Sequence, residues 1–126
     1  MKVIKIKNGE AEVLDIENSL DSYHKVLNCN LIDIISLKIN NKNYDFIIDD
    51  EGKLKEHYAN IFLIKNDTPV DYLANDVIIC NSVETDDGLD EGDLTELDIE
   101  SIKNWVNDCE KLINLENCCF SLILKI

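Results

Sequence analysis

The run Lys2-Val3-Ile4-Lys5-Ile6-Lys7-Asn8-Gly9-Glu10-Ala11-Glu12-Val13-Leu14-Asp15-Ile16-Glu17 reads as two strands and the turn between them. Lys2 to Lys7 mixes Val3, Ile4 and Ile6 with Lys2, Lys5 and Lys7, as a strand with one wet face would. Asn8-Gly9 is a strong two-residue hairpin signal, because both residues tolerate the left-handed backbone that tight antiparallel turns need. Ala11 to Glu17, with Val13, Leu14 and Ile16, supplies the returning strand. An antiparallel sheet therefore starts the chain.

Working outward, Asn18 or Ser19 can cap a short helix in which Leu20, Tyr23, Val26 and Leu27 recur at helical spacing. Leu31 to Ile39 is rich in β-formers, and Asn40-Asn41-Lys42-Asn43 turns it into Tyr44 to Ile48. Asp49 to Lys53, with Gly52, makes another turn. Ile61 to Ile64 is a short apolar segment that Asp67-Thr68-Pro69 breaks, since the residue before proline avoids the helical region. Val77 to Cys80 is a continuous apolar strand. Thr95 caps a long helix to Asn114, with Asp98 three residues on as in a capping box. Its apolar face is Ile99, Ile102, Val106, Cys109 and Ile113, widened by Trp105 and Leu112. Cys119 to Ile126 reads as a buried strand. The expected fold is α+β: one mainly antiparallel sheet from residues 1–80 and 119–126, with one short and one long helix. At 126 residues a single domain is expected, spanning 1–126.

Charge carries the one pointer to partners. Glu84, Asp86, Asp87, Asp90, Glu91, Asp93, Glu96, Asp98 and Glu100 contain no basic residue among them, and they hold nine of the net fourteen negative charges. The expectation is an acidic loop over 84–98 running into the helix start. Such a field repels nucleic acid and anionic membranes and attracts basic protein surfaces. All twelve basic residues are Lys, so the guanidinium fork that usually grips phosphate is missing. Direct nucleic-acid binding and membrane binding are not expected; a protein partner with a basic surface is. No run nears the ~20 apolar residues of a membrane span. Met1 to Val13 lacks the apolar core of a secretory signal, so a cytoplasmic setting is expected.

Nothing in the chain spells a catalytic centre, and neither enzyme activity, cofactor nor metal is expected. The cysteines, Cys29, Cys80, Cys109, Cys118 and Cys119, are odd in number, show no C-x-x-C spacing, and read as free thiols. A calcium loop starting at Asp87 puts Gly92 at position 6 and Asp98 at position 12, but Leu89 falls where a ligand belongs. His24 and His57 with scattered carboxylates, as an acid–base pair, and His57 with Cys80, as a nucleophile, are the pairings on offer, and neither has an orienting motif. Gly52-Lys53 lacks the rest of a phosphate loop.

The segments Asp49-Asp50-Glu51-Gly52-Lys53-Leu54, then Asn60, then Pro69-Val70-Asp71-Tyr72-Leu73-Ala74-Asn75-Asp76-Val77-Ile78-Ile79-Cys80 resemble, in that order, the domain of unknown function 3846 family. Leu94-Thr95-Glu96-Leu97-Asp98-Ile99-Glu100 and the basic strand before Asn8-Gly9 are similar too, so the resemblance spans residues 1–105. It implies a small protein of phages, plasmids or conjugative elements, with no catalytic residue to carry over. Two positions depart from the family pattern. Ile61 stands where the family usually has Arg, and Asn75-Asp76 where it usually has Gly. Three functions stay open: an acidic decoy for a nucleic-acid-binding defence protein, a plain interaction module, and an unrecognised enzyme or ligand-binding fold.

Overall fold

The opening hairpin forms as the sequence predicts. In the computed structural model, which describes residues 1–126, β1 (Lys2–Lys7) pairs antiparallel with β2 (Glu10–Asp15). Asn8 and Gly9 turn between them at φ 51° and 77°. Gly9 is required twice over, because a Cβ there would also sit 2.8 Å from the Cβ of Phe120. The same device recurs twice. Asn40-Asn41 (φ 50° and 68°) joins β3 (Ile32–Ile39) to β4 (Lys42–Asp49), and Asn66-Asp67 (φ 51° and 62°) joins β5 (Ala59–Lys65) to β6 (Thr68–Ala74). Asparagine and aspartate accept this left-handed backbone more readily than other side chains.

The fold is α+β with mainly antiparallel strands, but the strands form two sheets where one was expected. In the first, the order is β2-β1-β7-β4-β3, with β7 (Val77–Thr85) central and β8 (Gly88–Gly92) paired to its far end. The second is β6-β5-β10-β9, where β9 is Lys111–Ile113 and β10 is Phe120–Lys125. Its one parallel pair, β10 with β5, aligns Leu122 with Ile61 and Leu124 with Leu63. The first sheet is buried on both sides. Strands β1, β7 and β4 bury both faces: Val3, Ile47, Ile78 and Cys80 point to one side, while Ile4, Ile6, Phe46, Val77 and Ile79 point to the other.

The first of these faces is covered by α1 (Leu20–Leu27), through Tyr23 and Leu27. Ser19 caps it, its hydroxyl accepting from the Ser22 N–H at 3.2 Å. The opposite face packs on Ile61, Leu63, Leu73, Leu122 and Leu124 of the second sheet, and on Ile102 and Val106 of α2 (Glu96–Asp108). Asn60 joins the two sheets. It lies at a register shift in β5, is fully buried, and donates from its side-chain amide to the carbonyls of Ile6 (2.9 Å) and Asn75 (2.8 Å).

Two expected elements are corrected. Helix α2 stops at Asp108, because Cys109 is already extended (φ −74°, ψ 153°). Asn107, Asp108 and Cys109 are poor helix formers, and carboxylates at Asp108 and Glu110 oppose the negative end of the helix dipole. Leu112 and Ile113 therefore leave the helix for β9 and are about half exposed (49% and 53%). Pro69 does not break a segment; it lies in β6, an edge strand, where a missing N–H is tolerated. The turn there is Asn66-Asp67, one step earlier.

Candidate acidic interaction surface

The acidic stretch is a hairpin rather than a loop. β7 runs on past its pairing with β1 and β4, and Asn81 to Thr85 pair with β8, aligning Ser82 with Glu91, Val83 with Asp90 and Glu84 with Leu89. Strand character at Val83 and Leu89 was masked in the sequence by the carboxylates between them. The Thr85 hydroxyl, donating to the Gly88 carbonyl at 2.9 Å, closes the Asp86-Asp87 turn, and Gly88 takes the positive φ of 113°. Gly92 allows the strands to close, since a Cβ there would meet Val83 Cγ1 at 2.6 Å.

The nine carboxylates take different places. Glu84, Asp86, Asp87, Asp90, Asp93, Glu96 and Glu100 are exposed. Pairing divides the hairpin's own acids between its faces, Glu84 and Glu91 on one and Asp90 on the other. Asp93 accepts from the Lys2 N–H at 2.7 Å, and Leu94 N–H returns to the Lys2 carbonyl at 3.0 Å, which ties the acidic segment to β1. Glu91 is half-buried towards Tyr23, Cys80 and Asp45. Burial, with Asp90 beside it, raises its carboxyl pKa above the ordinary value, and Asp45 is raised in the same way.

Asp98, expected on the surface, is the exception: it is 4% exposed. One carboxylate oxygen accepts from Lys42 Nζ (2.7 Å) and the Tyr44 hydroxyl (2.8 Å). The other accepts from the Thr95 N–H and hydroxyl (both 2.9 Å) and from the Asn81 side-chain amide (3.2 Å). Thr95 in turn takes the Asp98 N–H at 3.1 Å, completing the capping box read from the sequence. Burial alone would raise the Asp98 pKa. Lys42, the Thr95 N–H and Tyr44 outweigh it and hold the carboxyl at about 2.

The other candidate chemistry is not assembled. Of the calcium-loop positions, Gly92 lies in β8 and Asp98 is committed to Lys42 and Tyr44. Cys80 is fully buried and its thiol is pushed up to about 12, chiefly by burial. His57 is held elsewhere, between the Lys55 carbonyl (2.7 Å) and the Tyr72 hydroxyl (2.9 Å). His24 lies in the last turn of α1. All five cysteines are free. No helix is long and apolar enough to cross a membrane.

A cluster that sequence reasoning missed lies where two of the quoted segments meet. Lys53 Nζ sits 2.5 Å from Asp71 and 4.4 Å from the centre of the Tyr72 ring, while Lys55 holds Asp49 at 2.6 Å. His57 stacks on Tyr72 at 5.7 Å, and Gly52 abuts Ala74. The only available signal was that these motif segments stand close together in sequence.

A family model described as Domain of unknown function (DUF3846) matches residues 1–107. The chain belongs to this family. Its members have no known function. Both departures from the family pattern have a structural setting here: Asn75 takes φ 61°, which suits Gly or Asn, and Ile61 is fully buried between the sheets. No curated protein and no solved structure matches the chain.

Proposed function

We propose that this protein is a non-enzymatic binding module that presents its β7–β8 hairpin and the start of α2 to a basic protein surface, as a decoy for nucleic acid. One observation supports this reading above the others. The five ion pairs of the molecule use only Asp98 among the nine carboxylates, so eight have no cation within 4 Å, and seven of them are exposed. A groove built for a phosphate backbone offers the counter-charge that this surface lacks. The setting we propose is cytoplasmic, on a phage or other mobile element, where a basic defence protein is the natural target.

A second reading is a plain interaction module without a decoy role. It is favoured by β3, an eight-residue edge strand with β4 as its sole partner, whose free edge can accept an added strand.

The test neutralises Glu84, Asp86, Asp87, Glu96 and Glu100 with Gln or Asn, since none of these side chains holds the fold together. Asp90, Asp93 and Asp98 are left alone because each accepts a backbone N–H. The parent should capture a host protein that high salt or added duplex DNA releases, and the neutralised variant should lose it while melting no lower than the parent, since fewer like charges repel. Capture that survives neutralisation and DNA competition would overturn the decoy and favour the β3 edge.

A further inference from the structure

At the C-terminal end of α2, a helix of 13 residues and so about 20 Å long, lies an open groove of about 650 Å³. Its floor is apolar: Ile64 of β5, Ile123 of β10, Trp105 of α2 and Leu112 of β9. Trp105 is the only tryptophan in the chain, and its indole N–H donates to the Ile123 carbonyl at 3.1 Å, which fixes the ring against the sheet. The rim is acidic. Asp67 comes from the β5–β6 turn and Asp108 and Glu110 from the end of α2, and none of the three belongs to an ion pair; Lys125 is the one cation lining the groove.

The backbone adds to this charge. Helix α2 ends here with no basic residue in its last turn, so its negative dipole end faces the same space. Lys111 Nζ caps a single carbonyl, that of Val106, at 2.7 Å. An apolar floor with a tryptophan, a net negative rim and a helix C-terminus together select a cation carried on an apolar body. Seven of the twelve lining residues lie beyond residue 107, outside the family match, so this groove is a feature of the chain's own extension.

We propose that the groove is a docking site for a partner segment in which a lysine or arginine stands next to an apolar side chain. The apolar residue seats on Ile64, Ile123 and Leu112, and the cation lies between the Trp105 ring and the carboxylates of Asp67, Asp108 and Glu110. The site is separate from the acidic hairpin and stands or falls independently of it.

Trp105 reports its own occupancy. Titrating the whole protein with a blocked Leu-Lys-Leu-Lys peptide should give a saturable change in tryptophan emission. The same peptide with norleucine for lysine should bind at least about tenfold more weakly, as loss of a charge pair in a partly desolvated site does. The triple variant D67N/D108N/E110Q should weaken the lysine peptide to a similar extent. All three side chains are exposed, and Asn is at ease at the left-handed backbone of residue 67. The hairpin variant E84Q/D86N/D87N should bind within about twofold of the parent, since none of these residues lines the groove and exposed charges outside it are screened by salt. The norleucine comparison needs no variant, so the test survives a folding failure. Equal binding of both peptides would overturn the proposal, and so would loss in the hairpin variant only. Butylamine binding as tightly as the peptide, or an emission change from protein concentration alone, would also overturn it.

Discussion

Asp98 closes the first turn of α2 and neutralises Lys42 on β4 at once, so one carboxylate fixes where the helix sits on the first sheet. Its pKa of about 2 lies below the ordinary aspartate value of 3.8. The native state therefore binds this proton less readily than the unfolded chain. The resulting stability is present above about pH 4 and is lost as pH falls towards 2, an effect on the order of 2 kcal/mol. Glu91 and Asp45 act with the opposite sign: their raised pKa values let the native state take up protons first, so stability grows as pH falls through them. We expect the melting temperature to rise as pH falls from neutrality through the titration of Glu91 and Asp45, and to fall below about pH 4 as Asp98 begins to lose its advantage. Asp98→Asn should weaken the acid limb, to which Asp15 and Asp71 also contribute, and destabilise at pH 7, while Glu91→Gln should flatten the rise; thermal melts across pH check both. The capping box was legible in Thr95 and Asp98 because it is local in sequence. The Lys42 and Tyr44 contacts were not, because they depend on where β4 lies.

At the scale of elements, local chemistry was readable and element ends were not. The Asn8-Gly9 hairpin, the Thr95 cap and the apolar runs of β1, β3, β4 and β7 follow from spacing alone, while the cap of α1, open between Asn18 and Ser19, falls to Ser19. The β7–β8 hairpin escaped notice because its alternation is carried by Val83 and Leu89 among carboxylates, and β6 because Pro69 reads as a breaker until its edge position is known. The end of α2 separates two side chains that sequence placed on one helical face. Ile102 is fully buried, whereas Ile113 belongs to β9 and is 53% exposed. Ile102→Ala should cost about 2–5 kcal/mol through lost burial and the cavity left behind. Ile113→Ala should cost well under about 1 kcal/mol, as surface substitutions do. Urea denaturation of both variants checks this contrast; a single helix to Asn114 would make the two losses alike.

For the whole molecule, a net charge of −14 with eight unpaired carboxylates in one region makes self-repulsion a general term against the compact state. Raising salt from low ionic strength to physiological levels should therefore raise the melting temperature, measurable by calorimetry, because exposed charges are screened over ~8–10 Å there. The division into two sheets could not be read from composition or periodicity, since β5 and β10 look like any apolar strands until their partners are known. That division also orders events in time. As the chain emerges during synthesis, β5 and β6 can close their Asn66-Asp67 hairpin early, but the neighbour of β5 on its other side is β10, far downstream. Until residues 120–125 arrive, β5 waits with an unpaired backbone edge and with Ile61 and Leu63 only partly covered. The second sheet is thus the late-maturing part of the molecule, and its waiting edge is where a nascent chain is most open to capture by another copy or by a chaperone.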